Sequence, residues 1–425
     1  MSHYAILILI ILLIMSIPAS APSFAEATAG KGEPLVGLKG VYSVTSFGAK
    51  GDGTTDDTAA FQKALDAVSK DGGGIVFVPT GNYLIKGHLS VPDHVTMEGV
   101  FRAPTRSTQC KGSTLLAVEG KGKEDGEPFI FLHTNSTLKG ITIFYPEQDK
   151  KSPVPYPWCV RGAGDNCSII DVLMVNPWQA VDFGTFPCGR HLIRGLYAQA
   201  LHTGIFVDKC FDVGRIEDVH LWPFWEIPLN DFVLKQGTAF IFGRTDWEFV
   251  TNTFCISYKT GFQFTAFKDW SGNVLLTNSG ADMCTTAVLV EQCQDLTGIA
   301  WTNCQFFGGI DIRETNAGPV KFNNCSLWGL EPSPTIVSTK GAGTVTFNGC
   351  HFARWDFKGE GQPAILADGA RLTVTSCEFI DGGKKQIVLG PNSKSAVIVG
   401  NRFRGGVKVD NQSKGKVEMG LNVDE

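Results

Sequence analysis

The chain has 425 residues and a formal net charge of −5 with acidic and basic residues interspersed, which excludes nucleic acid and anionic membrane surfaces as electrostatic partners. Glycine (49) and phenylalanine (29) are abundant and aromatics reach 11%, a turn-rich and β-rich composition with many rings to bury. The length suits two ordinary domains, yet a solenoid growing along one axis accommodates it in one.

Residues 5–17 form an uninterrupted apolar run, too short to span a membrane comfortably and placed where a signal peptide has its apolar region. Small residues follow, and Ser23-Phe24-Ala25 offers a cleavage site. The expected organisation is a signal peptide over 1–25, a flexible lead-in over 26–41 and a single domain over 42–425. The expected destination is secreted, periplasmic or surface-held, with no membrane contact after cleavage.

Next comes Phe47-Gly48-Ala49-Lys50-Gly51-Asp52-Gly53-Thr54-Thr55-Asp56-Asp57, a glycine-rich turn. Phe61, Ala64, Leu65 and Val68 stand at i, i+3, i+4 and i+7 and predict a short amphipathic helix, with Asp56 and Asp57 at the end that favours carboxylates. Gly72 to Gly74 stop it, and Ile75 to Val78 read as a strand ending in Pro79-Thr80-Gly81-Asn82. This stretch resembles the N-terminal signature of the pectate-lyase superfamily of right-handed parallel β-helix proteins. The resemblance covers roughly residues 42–100. It implies an all-β solenoid whose first coil is plugged by the short helix, and it implies a carbohydrate substrate. It fixes no reaction.

The cysteines mark the repeat. Cys167, Cys188 and Cys210 are 21 and 22 residues apart, and Cys304, Cys325, Cys350 and Cys377 are 21, 25 and 27 apart. The second set shares a context, from Asn303-Cys304-Gln305-Phe306 to Ser376-Cys377-Glu378-Phe379. A period of this size is one solenoid coil. Stacked parallel Cβ vectors suit the disulfide dihedral poorly, so a mostly reduced, buried cysteine ladder is expected, with room for a few disulfides. With no Cys-x-x-Cys and no Cys/His cluster, no metal and no cofactor is expected. Ala180–Phe183, Gly204–Val207, Ala239–Phe242, Gly261–Phe264 and Ala287–Val290 align as five successive rungs of one parallel sheet, and no helix is expected after residue 70.

The coils lengthen at 145–163 and 220–237. Trp222 and Trp225 in the second insertion, with Trp178, His202, Tyr258 and Lys259 in adjoining coils, are expected to form an aromatic wall about four coils long that binds sugar rings. Past the other end of the same rungs lie Gly184-Thr185, Asp208-Lys209 and Gly243-Arg244-Thr245-Asp246-Trp247-Glu248. Carboxylates on adjacent rungs facing one groove are what glycoside hydrolysis needs. Asp182, Asp208, Glu226, Asp246 and Glu248 are the candidates, Asp208 and Asp246 the first pair. Lys209 and Arg244 suit an anionic sugar. The Asp-Asp, Gly-His-Gly and Arg-Ile-Lys motifs of polygalacturonase-like enzymes are missing as a set, and no acid cluster resembles a Ca²⁺ site. The leading expectation is a glycoside hydrolase. The alternatives are a uronate lyase using Lys259, His202 or Tyr258 as base with Arg244 or a metal as cation, and a non-catalytic carbohydrate-binding, tailspike-like protein. A homotrimer is one assembly the apolar stretch 221–229 allows.

Overall fold

The computed structural model describes residues 40–105, 110–149, 152–222, 231–268, 270–329 and 336–425. The expected signal peptide and lead-in through residue 39 lie outside them, as do Trp225, Glu226 and the suspected contact from residue 223 onward. Residues Lys39–Glu425 cluster as one compact unit.

The unit is a right-handed parallel β-helix of about 14 turns. Each coil contributes one strand to each of three ladders. The coil that holds Glu248 illustrates the order: Asp246–Thr251 on the first ladder, Phe254–Ile256 on the second and Thr260–Phe264 on the third. The third ladder has 13 strands, and the other two join into a 28-stranded sheet. They join because Ser168–Val175 and Leu192–Gln199 run without a break from one ladder to the next. Every named strand pair is parallel; the expected five rungs pair in sequence, with Val181, Ile205, Phe240, Phe262 and Val288 in register.

The corner between the first and second ladders is a single residue in the left-handed region. Gly140, Asp171, Gly195, Asp218, Asn252 and Asn278 occupy it in successive coils at φ 49–68°. Glycine adopts this conformation freely, and asparagine and aspartate tolerate it best among the rest. The residue after the corner points inward, which explains the cysteine contexts: Cys304, Cys325, Cys350 and Cys377 follow Asn303, Asn324, Gly349 and Ser376. All twelve cysteines are free, and all but Cys110 are buried. In-register stacking also lines up rings. Phe352, Phe379 and Phe403 stack at centroid spacings of 4.6 and 4.9 Å, close to the strand repeat of about 4.8 Å.

The helix Thr58–Lys70 buries Phe61, Ala64, Leu65 and Val68, the four positions its spacing predicts, and covers the first coil. Asp57 precedes it without capping it. Its buried carboxylate instead accepts the backbone N–H groups of Lys50 at 2.7 Å and Gly51 at 3.0 Å, so it holds the glycine-rich turn against the helix. The expectation of no later helix is corrected by Asp231–Gln236, a short turn carrying an Asp231–Lys235 ion pair one turn apart. Among the described residues no helix is long and apolar enough to cross a membrane.

Replacing Asp57 by Ala removes a charged acceptor from two N–H groups and is expected to lower unfolding stability by about 3 kcal/mol, measurable by urea denaturation followed by circular dichroism. An unchanged midpoint would show that the turn holds itself.

Candidate functional site

The Gly243–Glu248 hexapeptide turns from the third ladder into the first. Alternation and a bulge decide where its side chains go. Asp246 pairs with Asn273 and Glu248 with Val274, so Trp247 is the extra residue of a β-bulge. Bulges re-aim side chains and recur beside functional sites. Trp247 has φ 90° and its side chain is 55% exposed. Trp270, from the next coil, has φ 100° and is 74% exposed. A bulky residue with positive φ is a strained outlier. Both face solvent, Trp247 edge-on to Phe249 at 6.4 Å.

Against Trp270 lies Arg244, with only 14% of its side chain exposed. Its Nη2 pairs with Asp246 Oδ1 at 2.5 Å, and its guanidinium carbon sits 5.2 Å from the Trp270 ring centroid. Its Nε and Nη1 are buried without a partner. A guanidinium presents its donors as forks matched to carboxylates, and Nη2 belongs to both of them. Asp246 holds that shared donor, and Nε and Nη1 are each left a buried donor lacking an acceptor. Asp208 is buried behind it and accepts the Arg244 backbone N–H at 2.6 Å. Lys209 Nζ donates to the carbonyls of Gly184 and Thr185 and lies 3.8 Å from Asp208. The outer face of the third ladder continues as an apolar floor, with Phe206 against both Trp158 and Phe267.

The structure therefore assembles Asp208, Lys209, Arg244 and Asp246 in one corner, with 36% of the Asp246 side chain exposed. Glu248 is corrected: its carboxyl is fully buried and turned into the shaft, 2.9 Å from His191 Nε2. Asp182 faces outward yet is sealed by Arg161, 2.5 Å away, and by the N–H groups of Gly184 and Thr185. The aromatic wall is corrected as well. Trp178 stacks on His202 at 4.9 Å, but it is buried. Tyr258 is buried and donates to the Ala200 carbonyl, and burial, with Cys255 and Cys284 beside it, pushes its phenol far above the usual range. These rings cover the shaft. Trp222 lies on the second ladder beside His220 and Phe254. His202 is half-buried, and burial lowers its pKa against the pull of Glu124; Lys259 is exposed.

A second concavity, a groove of about 470 Å³, lies on the second ladder. Gly280 stands in register between Phe254 and Gln305, and its missing side chain opens the groove. Asn252, Asn278 and Asn303 line one wall, Asp282 and Phe307 the other. Burial raises the Asp282 pKa, opposed by the Met283 N–H. Neither Asp282 nor Trp270 was singled out from the sequence. Counting four residues from each corner asparagine aligns Ile256, Asp282, Phe307 and Trp328, a column in which the acid stands out.

Residues 41–144 match the family model described as rhamnogalacturonase A/epimerase, pectate lyase-like. The corner and the coils define a right-handed parallel β-helix, and its first quarter is similar to the pectate-lyase-like family. Over 46 residues the chain is 59% identical to alginate lyase 7 of Azotobacter vinelandii, covering 11% of this chain and 5% of that protein. The match thus spans a small fraction of the relative's length. Two solved structures share the fold. The N-terminal fragment of bacteriophage phi29 gene product 12 superposes with a TM-score of 0.67 at 15% identity, over 90% of this chain and 70% of that one. The A-module of mannuronan C-5 epimerase AlgE6 from Azotobacter vinelandii gives 0.56 at 16% identity, over 90% and 99%.

The raised pKa of Asp282 has a signed consequence for stability. The folded state keeps its proton to higher pH than the unfolded chain does, so stability falls as pH rises from the unfolded value of 3.8 through the raised folded one. At neutral pH the ionised carboxylate is a net cost. Asp282→Asn is expected to raise the melting temperature at pH 7 and to lose that gain below about pH 4; thermal melts across this range check it, and destabilisation at pH 7 would contradict it.

Proposed function

We propose that the protein is a secreted enzyme acting on a uronate-containing polysaccharide, and that it cleaves by hydrolysis at the Arg244 corner. The observation that carries this reading is the Arg244 guanidinium, ion-paired to Asp246 on one side and left with two unpartnered buried N–H groups on the other. A sugar carboxylate that replaces Asp246 on Nη2 takes a full fork, with Nε or Nη1 as its second donor. Trp270, Phe267 and Phe206 offer apolar faces for the pyranose rings around it, the common way a protein binds a flat sugar. The 5–17 apolar run supports export, and the likeness to a protein named an alginate lyase supports an acidic polysaccharide.

Asp246 is the candidate catalytic carboxylate, and Asp208, buried behind Arg244, positions the corner by accepting the Arg244 backbone N–H. Hydrolysis needs one carboxyl to protonate the leaving oxygen and one carboxylate to act as base or nucleophile, and Asp246 is the acid of this corner that reaches solvent. Elimination by the bases considered above is the weaker reading. Tyr258 is buried, while His202 and Lys259 stand at the opposite edge of the third ladder, a strand of five residues or about 16 Å from the Arg244 corner.

The test is incubation with neutral and uronate polysaccharides, scoring new reducing ends and unsaturated products together. Reducing ends without unsaturation are expected. Asp246→Asn is expected to cut kcat/KM by at least about 10²-fold, and Arg244→Ala to raise KM on uronate chains far more than on neutral ones. Unsaturated products would replace hydrolysis by elimination. Binding without either product would make the protein a carbohydrate-binding shaft.

A further inference from the structure

One column of the shaft interior changes character. Where the first ladder begins, Val274, Ile299, Val320, Val345 and Leu372 stack inward in successive coils. In the coils just before them the same column holds His191, Gly214 and Glu248, since Gly214 pairs with Glu248, Glu248 with Val274, and His191 precedes the Leu192–Arg215 pair. His191 and Glu248 are two rungs apart, roughly 10 Å of backbone. They meet because the rung between them is glycine. A Cβ on Gly214 would stand 2.1 Å from Glu248 Oε2 and 2.6 Å from His191 Cε1.

Cys210 joins them from the turn before Gly214. One donor atom from each of His191, Cys210 and Glu248 lies within 4.8 Å of the others, and all three residues are fully buried. Among the described residues no other three His, Cys, Asp or Glu side chains meet this way. The imidazole is already oriented. Its Nδ1–H donates to the Cys188 carbonyl at 2.8 Å, which leaves Nε2 as the ligating nitrogen, the arrangement typical of metal-bound histidine. Glu248 Oε2 is buried with no partner. A lone buried carboxylate oxygen is costly, and this one lies in the space left by Gly214, beside the oxygen that meets His191.

We propose that His191 Nε2, Cys210 Sγ and the Glu248 carboxylate bind one divalent transition-metal ion of zinc-like chemistry inside the shaft, tying three successive coils together. Imidazole, thiolate and carboxylate form a donor set such an ion prefers, and calcium or magnesium does not. Binding displaces the Cys210 thiol proton and the proton held between His191 Nε2 and Glu248, so two protons leave as the ion enters. The enclosure makes the role structural, and the Cys210 backbone, hydrogen-bonded to the Arg244 carbonyl and the Asp246 N–H, ties it to the surface corner.

The test is elemental analysis of the full chain expressed with added zinc and gel-filtered, alongside expression in cobalt medium. About one ion per chain and a thiolate-to-cobalt charge-transfer band are expected. Cys210→Ser and Glu248→Gln should each reduce the content at least tenfold, while Cys304→Ser, elsewhere in the cysteine ladder, should leave it unchanged. If those variants do not fold, the wild-type stoichiometry and cobalt spectrum decide alone. Wild-type protein free of stoichiometric transition metal, or folded Cys210→Ser retaining a full complement, would overturn the proposal.

Discussion

The strict register of parallel strands is the constraint from which the rest of the structure follows. Each coil returns to the same height on the same ladder, so residues some 20–30 positions apart in sequence become neighbours at about 4.8 Å. Register holds because one residue per coil turns the first ladder into the second in the left-handed conformation, from Gly140 through Asn252 to Gly400. Once that corner repeats, every inward position meets its own kind above and below. Phenylalanine stacks on phenylalanine and cysteine follows cysteine, and the core is long, dry and uniform. A shaft built this way has little chemistry of its own, and departures from the repeat are where chemistry concentrates.

Three departures matter. Trp247 is an extra residue that breaks register and takes up a strained backbone, as does Trp270, whose ring lies against Arg244 in solvent. Gly280 removes one side chain from an outward row and opens the groove beside Asp282. Gly214 removes one from an inward column and lets His191 reach Glu248. A gap or insertion in an otherwise repeating column acts on the coils at either side, because their side chains turn into the space or away from it.

Much of the fold was legible because its signals are local or periodic. The apolar spacing of Phe61, Ala64, Leu65 and Val68 specifies the helix, and the recurrence of Ala180–Phe183 down to Ala287–Val290 specifies the third ladder in register. The site was half legible. Asp208, Lys209, Arg244 and Asp246 come together as their positions on neighbouring rungs require. What failed was the side of the sheet each residue faces. Glu248 reads as a surface acid in a polar hexapeptide, but the bulge at Trp247 turns it inward. Trp178 and Tyr258 lie in coil connections, where no alternation tells a covering ring from a binding ring. His191, Cys210 and Glu248 are scattered over 58 residues, and only the empty side chain of Gly214 between them shows that they meet.

The proposed chemistry rests on an anionic sugar bound at Arg244. It is tested most directly by a crystal structure of the protein with a bound uronate oligosaccharide. The expected result is a sugar carboxylate paired with the Arg244 guanidinium through one of its forks, with the pyranose face against Trp270. An oligosaccharide lying in the Asp282 groove, with the Arg244 donors still unpartnered, would contradict it.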